Sequence, residues 1–365
     1  MIRGASREHP ADSVLRQEIK SQRRLETHEA AQTSHAVFAY YRWLGWLNHR
    51  QPIREQISRA LELATQFASN PVTFPEPELA QKAVPGWLKD QMEFTPAWAR
   101  SIQSEPKLWL RAKRGQGREL ARKLGDCHVL GEEQLSDTLE YQGEQDLFRT
   151  PEFHHGEFEL QDVSSQAVGW VCDPRPGETW WDACAGEGGK TLLFSELMQN
   201  KGLVWASDRA GWRLQRLKRR AGRAKVFNYR MELWDGSSKL PTKTKFDGVL
   251  VDAPCSGIGT WHRNPHARWT TTPNDVSELA ELQKRMLGHA TVAVKPGGKL
   301  VFAVCTLTRA ETSAVMASFG EQFPDFEPLG FQNPLTSKGV AFPTVTLWPQ
   351  AHSGNGMFIA AWRRR

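Results

Sequence analysis

Apolar positions along this chain change period twice. Residues 30–50 carry a helical apolar stripe that ends near Trp46, and residues 53–68 set Ile53, Ile57, Ala60, Leu61, Ala64, Phe67 and Ala68 on one helical face. Pro52 suits the first turn of that helix and Ser69-Asn70-Pro71 its stop. A short helix is predicted from Glu78 to Lys82, after which Pro85-Gly86 breaks the chain. Residues 1–30 alternate basic and acidic groups with little apolar content and predict a loosely packed or helical arm. Residues 1–94 therefore read as a helical N-terminal region.

The period shifts to two at Leu108-Trp109-Leu110-Arg111-Ala112-Lys113, the mark of a strand. A basic helix follows from Gly117 to Leu124, and Val129-Leu130 and Phe158-Glu159-Leu160 are weaker strands. Residues 95–160 thus predict a small α/β, RRM-like module, for which RNA binding and a packing spacer are both open. From residue 161 to 365 apolar runs and amphipathic segments alternate. The runs are Thr179–Asp182, Leu203–Asp208, Phe246–Asp252 and Lys299–Cys305; the helical segments are Leu192–Met198, Trp212–Arg223 and Val276–Val294; and Met357–Trp362 reads as a closing strand. That alternation predicts a doubly wound, mainly parallel α/β sheet.

Composition narrows the partners. With 39% hydrophobic and 24% charged residues the chain is an ordinary globular protein, but its net charge of +6 favours a polyanion such as RNA. Trp is abundant, 15 against 4 Tyr, so that besides core packing a few exposed indoles can stack on bases. The five cysteines (Cys127, Cys172, Cys184, Cys255, Cys305) form no Cys-x-x-Cys pair, which argues against a metal site or a disulfide framework. Residues 1–30 lack an apolar signal core and no 18-residue apolar run occurs, so no membrane partner is expected and the expected compartment is the reducing cytosol.

The first strand of the α/β region ends in Asp182-Ala183-Cys184-Ala185-Gly186-Glu187-Gly188-Gly189-Lys190-Thr191. A P-loop needs its first glycine at position 184, where Cys184 stands, and a dinucleotide fingerprint fails at Lys190 and Thr191. S-adenosylmethionine, which has no phosphate to cradle, remains. Asp208, at the end of the second strand, suits its ribose hydroxyls, and Asp235 its adenine amino group. Two thiols, Cys255 in Asp252-Ala253-Pro254-Cys255-Ser256-Gly257 and Cys305 in Val304-Cys305-Thr306, fall at carboxyl ends of strands, where α/β sheets bind ligands. Thiol chemistry beside a bound cofactor is the expectation.

As an ordered set, the loop at 182–191, the Asp252–Gly257 segment, Gly259-Thr260 with Arg263-Asn264-Pro265, and Lys295-Pro296-Gly297-Gly298 before the Cys305 strand resemble the NOP/Sun family of RNA cytosine-5 methyltransferases, of the bacterial rRNA-modifying type. The resemblance covers about residues 160–365 and, more loosely, 95–160. It implies a Rossmann-like S-adenosylmethionine-dependent methyltransferase fold. It further implies cofactor contacts from Cys184, Ala185, Gly186, Glu187, Gly188, Gly189, Lys190, Asp208, Asp235 and Asp252, with Cys305 as nucleophile and Cys255 assisting release. The family usually has Ala-Pro where this chain has Gly186-Glu187, and Thr where it has Val304; its bacterial members also carry a fuller helical RNA-binding domain.

The chemistry accounts for these residue types. Cytosine C5 is a poor nucleophile until a thiolate adds to C6. An acid at N3, for which Asp252 is the candidate if burial raises its pKa, stabilises the ring charge, and a second thiol helps the first to leave. Arg263, Asn264 and Arg268, with His262 and His266, follow the Cys255 segment and are the candidates for RNA contact; Trp261 and Trp269 flank them and stack or pack. The basic run from Arg209 to Lys225 is a solvated face or a backbone track, and Cys127 and Cys172 are structural. The alternatives are a tRNA substrate, or a non-catalytic RNA-binding assembly factor on the same fold, against which the presence of both Cys255 and Cys305 argues.

Overall fold

The computed structural model describes residues 1–22, 26–336 and 339–365. Its N-terminal region is helical, as the apolar stripes predict: α1 Ala11–Ser21, α2 Thr27–Arg42, α3 Ile53–Ser69, α4 Glu76–Lys82 and α5 Pro96–Gln103. Pro52 precedes α3, which buries Ala60, Leu63 and Phe67 on its inner face. Of the arm expected over residues 1–30, residues 23–25 lie outside the described residues, and the part before them is docked: Ala11 and Leu15 are buried in the same core as Trp43, Trp98 and Leu88.

The next module has β1 Leu108–Ala112, α6 Gly117–Leu124, β2 Cys127–Val129, β3 Thr138–Tyr141, α7 Pro151–His154 and β4 Phe158–Leu160. Its sheet runs β2-β3-β1-β4, all antiparallel. One face, with Leu110, Ala112, Leu139 and Phe158, packs on Leu120 of α6. The other face is also covered. Trp109 Nε1 donates to Ser353 O at 3.1 Å, Thr138 Oγ1 to Gln166 Oε1 at 2.7 Å, and Glu159 takes Arg220 and Arg223. The open sheet face that an RRM uses for RNA is therefore not free here: it is the interface with the last domain, so for that face the structure supports the spacer.

The last domain contains α8 Val163–Cys172, β5 Thr179–Asp182, α9 Gly189–Leu197, β6 Leu203–Asp208, α10 Gly211–Ala224, β7 Tyr229–Leu233, β8 Phe246–Asp252, α11 Ala267–Thr270, α12 Pro273–Thr291, β9 Val294–Val304, α13 Ser313–Gln322, β10 Phe326–Pro328, β11 Thr344–Leu347, α14 Pro349–His352 and β12 Met357–Arg364. Its sheet order among the described residues is β10-β12-β9-β8-β5-β6-β7, with β11 on β12. Strands β5 to β9 are parallel; β12 runs antiparallel to β9, as a closing strand does. The α12 helix starts at a capping box of Thr272 and Asp275 and ends at Thr291, ahead of the expected Val294, because the chain already enters β9 there.

Strand order reverses between β5 and β8, which opens a crevice at their carboxyl ends. Apolar side chains seal the sheet below it: Trp181, Phe246, Val249, Val251, Phe302 and Val304 are buried in one cluster. The helical region closes the crevice from one side. Its core includes Ile258, Trp261 and Leu307, which lie in the loops just after β8 and β9.

Candidate active site

Every sequence-predicted cofactor or catalytic residue lies at the carboxyl end of β5, β6, β7, β8 or β9: Asp208 and Asp252 as the last residues of β6 and β8, the others in the loops beyond or at the start of α9. The first loop is shaped by its small residues. Ala183 N donates to Leu250 O at 2.9 Å and Ala185 N to Ser207 O at 2.8 Å, which ties the loop to both neighbouring strands. Gly188 has φ +89°, and a Cβ there would lie 2.5 Å from Leu217, so only glycine lets α9 begin so close to α10. Asp208 organises the far side: its two carboxylate oxygens accept Gly186 N at 3.0 Å and Ala210 N at 2.8 Å. Asp235 stands exposed after β7 and accepts Ser237 N at 3.0 Å, and the Ser237 side chain, then this backbone bond, hold its carboxyl below the usual range. Glu187 pairs with Arg216.

Lys190 does more than line the loop. It is buried, and its Nζ donates to Asp252 Oδ2 at 2.7 Å. Burial opposes its charge, but Asp252, by attraction and hydrogen bond, and Asp182 outweigh that and hold the ammonium firmly protonated, within electrostatic reach of Cys305. Beneath it, Asp182 is fully buried; burial raises its carboxyl to about 7 despite the 2.6 Å hydrogen bond from Thr191 Oγ1, and its Oδ1 has no partner among the described residues. The Cys184 thiol is pushed well above its ordinary range by burial and by Asp252, Asp182 and Asp208, so it stays neutral.

The two thiols from different strands meet: Cys255 Sγ and Cys305 Sγ are 3.3 Å apart. The hydrogen bond to Cys305, then burial, then the charges of Cys305 and Glu311 push the Cys255 thiol well above its usual range. The shift favours the protonated Cys255 thiol, and either sulfur can donate across the 3.3 Å contact. Backbone contacts fix this meeting. Gly259 N donates to Cys305 O at 3.1 Å, and Gly356 N to Gly259 O at 2.8 Å, where a Cβ on Gly259 would strike Gly356 O at 2.1 Å.

Sequence reasoning missed Glu311. It is fully buried, and its carboxylate accepts five hydrogen bonds: Ser256 N at 2.8 Å and Gln283 Nε2 at 3.0 Å on Oε1, and the hydroxyls of Ser256, Thr306 (3.0 Å) and Thr308 (2.9 Å) on Oε2. Ser256 follows Cys255 and Thr306 follows Cys305, so one carboxylate clamps both thiol-bearing loops. An acid just past Cys305 in the Thr-rich stretch Thr306–Thr312 was the available signal.

The candidate RNA residues fare differently. Arg268 is fully buried: its guanidinium donates to Ala83 O (2.9 Å), Ile102 O (2.8 Å), Arg42 O (3.2 Å) and Gln103 Oε1 (3.2 Å), and burial lowers its pKa to about 9. It is a peg between the helical region and the α11 turn and touches no solvent, which corrects the expectation of RNA contact. His262 and His266 are buried too, Trp261 is wholly enclosed, and Trp269 Nε1 donates to Tyr41 O at 2.7 Å; these groups pack. Arg263 spends its guanidinium on Lys107 O (2.7 Å), Asp162 (2.9 Å) and Asn355 Oδ1 (3.2 Å), a three-way tie between domains. Asn264 alone of the three predicted RNA residues is exposed.

Parallel strands in the order β9-β8-β5-β6-β7, a Gly-rich first loop and acids at successive strand ends define a Rossmann-like methyltransferase. Residues 170–363 match the family model described as 16S rRNA methyltransferase RsmB/F, and the chain belongs to that family. It is 38% identical over 220 residues to a probable ribosomal RNA small subunit methyltransferase B of Synechocystis, covering 59% of this chain and 49% of that protein. It is 30% identical over 291 residues to ribosomal RNA small subunit methyltransferase B of Cronobacter sakazakii, covering 76% and 65%. A methyltransferase homolog from Pyrococcus horikoshii superposes with a TM-score of 0.62 at 27% identity, covering 74% of this chain and 90% of that one. The chain spans about half the length of the Synechocystis relative.

S-adenosylmethionine is the methyl donor of this fold and family. The residues present fit it. The loop offers backbone and small side chains rather than a phosphate nest, Gly186 has open space where a Cβ would stand, and Asp208 and Asp235 line the strand ends beyond.

Proposed function

We propose that this chain methylates C5 of cytosine in ribosomal RNA, through a covalent bond between Cys305 and C6 that Cys255 helps to break. The observation that carries the reading is the 3.3 Å meeting of two thiols beside the Lys190–Asp252 pair, which spans the point where strand order reverses. S-adenosylmethionine, held by the 184–190 loop with Asp208 and Asp235, supplies an electrophilic methyl group.

Cys305 adds as thiolate to C6, and the C5–C6 electron pair becomes available at C5 for the methyl group. The charge that reaches N3 is met by the Lys190–Asp252 pair, in which the proton resides on Lys190 and reaches the ring by way of Asp252. This revises the expectation of Asp252 as a lone acid. Once C5 carries both methyl and hydrogen, Cys255 hands its proton to the departing Cys305 sulfur and takes the C5 proton in exchange. The C5–C6 double bond re-forms, the N3 proton returns to Lys190 through Asp252, Cys255 ends as the thiol it began as, and Cys305 leaves as a thiol that regains its thiolate by losing to solvent the one proton the reaction releases.

The cysteine roles are tested together. Cys305→Ala abolishes methyl transfer and RNA adducts, whereas Cys255→Ala accumulates a protein–RNA adduct on a denaturing gel. An adduct with Cys305→Ala instead reverses the assignment. Bisulfite mapping of total RNA from cells with and without this protein gives the substrate: loss of one 5-methylcytosine in 16S rRNA is expected, and a loss confined to tRNA overturns the rRNA assignment.

A further inference from the structure

Trp212 is the one tryptophan of the 15 that is exposed; it is 56% open to solvent at the start of α10. The guanidiniums of Arg213 and Arg216 approach its ring, 5.4 and 5.0 Å from the centroid. The α10 helix carries six basic residues and no acid. The structure divides their work. Arg220 and Arg223 hold Glu159 of the small module, and Arg216 holds Glu187 of the first loop. Lys218 and Arg219 are exposed and have no ion pair among the described residues. Arg213 also pairs with Asp208, so the cations left to meet a partner are Lys218 and Arg219, and a flat exposed indole beside two such cations selects a negatively charged partner with a flat face.

We propose that Trp212 is a stacking platform for a base of the substrate RNA, with Lys218 and Arg219 on the adjoining phosphates. This rests on the RNA reading above and adds where the strand runs. Trp212 follows Asp208 at the carboxyl edge of β6, the same edge as both thiols. Three strand spacings separate β9 from β6, about 14 Å, which is the length of about four stacked nucleotides. RNA whose target base enters the crevice at Cys305 passes over Trp212 while still ordered by that insertion. The flanking nucleotides thus gain a contact on the far side of the cofactor loop, on the domain itself rather than on the helical region.

The test uses the full chain and a fluorescein-labelled, single-stranded 12-nucleotide RNA of mixed pyrimidines, read by anisotropy, with S-adenosylhomocysteine affinity measured by calorimetry. Trp212→Ala is expected to weaken RNA binding about tenfold, the loss of one base–aromatic stack, and to leave S-adenosylhomocysteine within twofold. Trp212→Phe retains most of the affinity. Lys218→Gln with Arg219→Gln flattens the slope of log affinity against log salt by about 1.4, two single-strand phosphates. Trp212→Ala with wild-type RNA affinity overturns the platform while leaving the methylation reading intact. A loss confined to S-adenosylhomocysteine overturns it too and assigns Trp212 to the cofactor. A wild-type chain that does not bind RNA overturns both.

Discussion

Replacing Glu311 by Gln removes one charge from the clamp on the two thiol loops and changes its shape very little. The obligate donors, Ser256 N and Gln283 Nε2, both point at Oε1, so the Gln oxygen takes that place and keeps them satisfied. The three hydroxyls on Oε2 then face an NH2 group and must rotate to accept from it. Hydrogen bonds to a charged acceptor contribute about 1.5–3 kcal/mol and neutral ones about 0.5–1.5 kcal/mol. At about 1 kcal/mol each, the three hydroxyl bonds lose about 3 kcal/mol of hold on the loops. If most of that falls on thiol geometry, methyl transfer slows between about tenfold and a hundredfold. Single-turnover methylation with saturating S-adenosylmethionine reads this directly. A second readout separates positioning from bulk stability. The Glu311 charge is among the causes that raise the Cys255 thiol, so in a Cys305→Ser background the alkylation of Cys255, followed by peptide mass spectrometry, shifts to lower pH when Glu311→Gln is added. Wild-type turnover together with an unmoved alkylation curve would refute the reasoning.

Arg268→Met takes away a buried guanidinium with four acceptors, leaving the carbonyls of Arg42, Ala83 and Ile102 without their donor; chemical denaturation is expected to show a loss of about 3–5 kcal/mol, with RNA affinity unchanged in the folded fraction. Weakened RNA binding at unchanged stability would restore Arg268 to the RNA surface. Asp182 gives a pH signature: its carboxyl titrates near 7 in the fold because it is buried, and near about 3.9 when unfolded. The folded state therefore holds the proton longer, and this group's contribution to stability is full below about pH 4 and is lost as pH rises to 7. Denaturation of wild type against Asp182→Asn between pH 4 and 8 should show the wild type losing ground steadily up to pH 7; parallel curves would show that the carboxyl is already ionised.

Much of the last domain was legible because its central strands β5, β6 and β8 are short, apolar and mostly buried. Thr179–Asp182, Leu203–Asp208 and Phe246–Asp252 have the bounds that their apolar runs predict. The signal fails where a strand is made by its neighbours. Thr138–Tyr141 is only four residues long and becomes the second strand of its sheet because β1 and β2 pair on either side of it. The thiols, Asp208 and the first loop were legible as chemistry because each sits directly after a strand that announces itself. Arg268 was misread because charge in a local sequence implies water, while its real acceptors come from residues 42, 83, 102 and 103, on three other segments. Glu311 escaped for the same reason: its five donors lie at four positions, 256, 283, 306 and 308, and no local pattern brings them to one carboxylate.

These two misreadings point to a division of labour in the fold. The parallel sheet brings Cys255 and Cys305 to neighbouring strand ends, but strand ends alone leave the loops beyond them free. Glu311 ties those loops to each other, and the helical region then ties them to the rest of the chain: Arg42 Nη2 donates to His262 O at 3.3 Å, Arg309 N to Gln91 O at 2.8 Å, and Ile258, Trp261 and Leu307 are buried in the helical core. Because these contacts lie on the thiol loops and not on the cofactor loop, loosening the helical region should separate two properties. Trp261→Ala opens a cavity in that core at a cost of about 3–5 kcal/mol. In the fraction that remains folded, methyl transfer should fall while S-adenosylhomocysteine affinity stays within twofold, since Gly186, Asp208 and Asp235 lie at the ends of β5, β6 and β7 and Trp261 lies in the helical core beyond β8. Equal losses of both would mean that the helical region supports the whole crevice and not the thiol loops in particular.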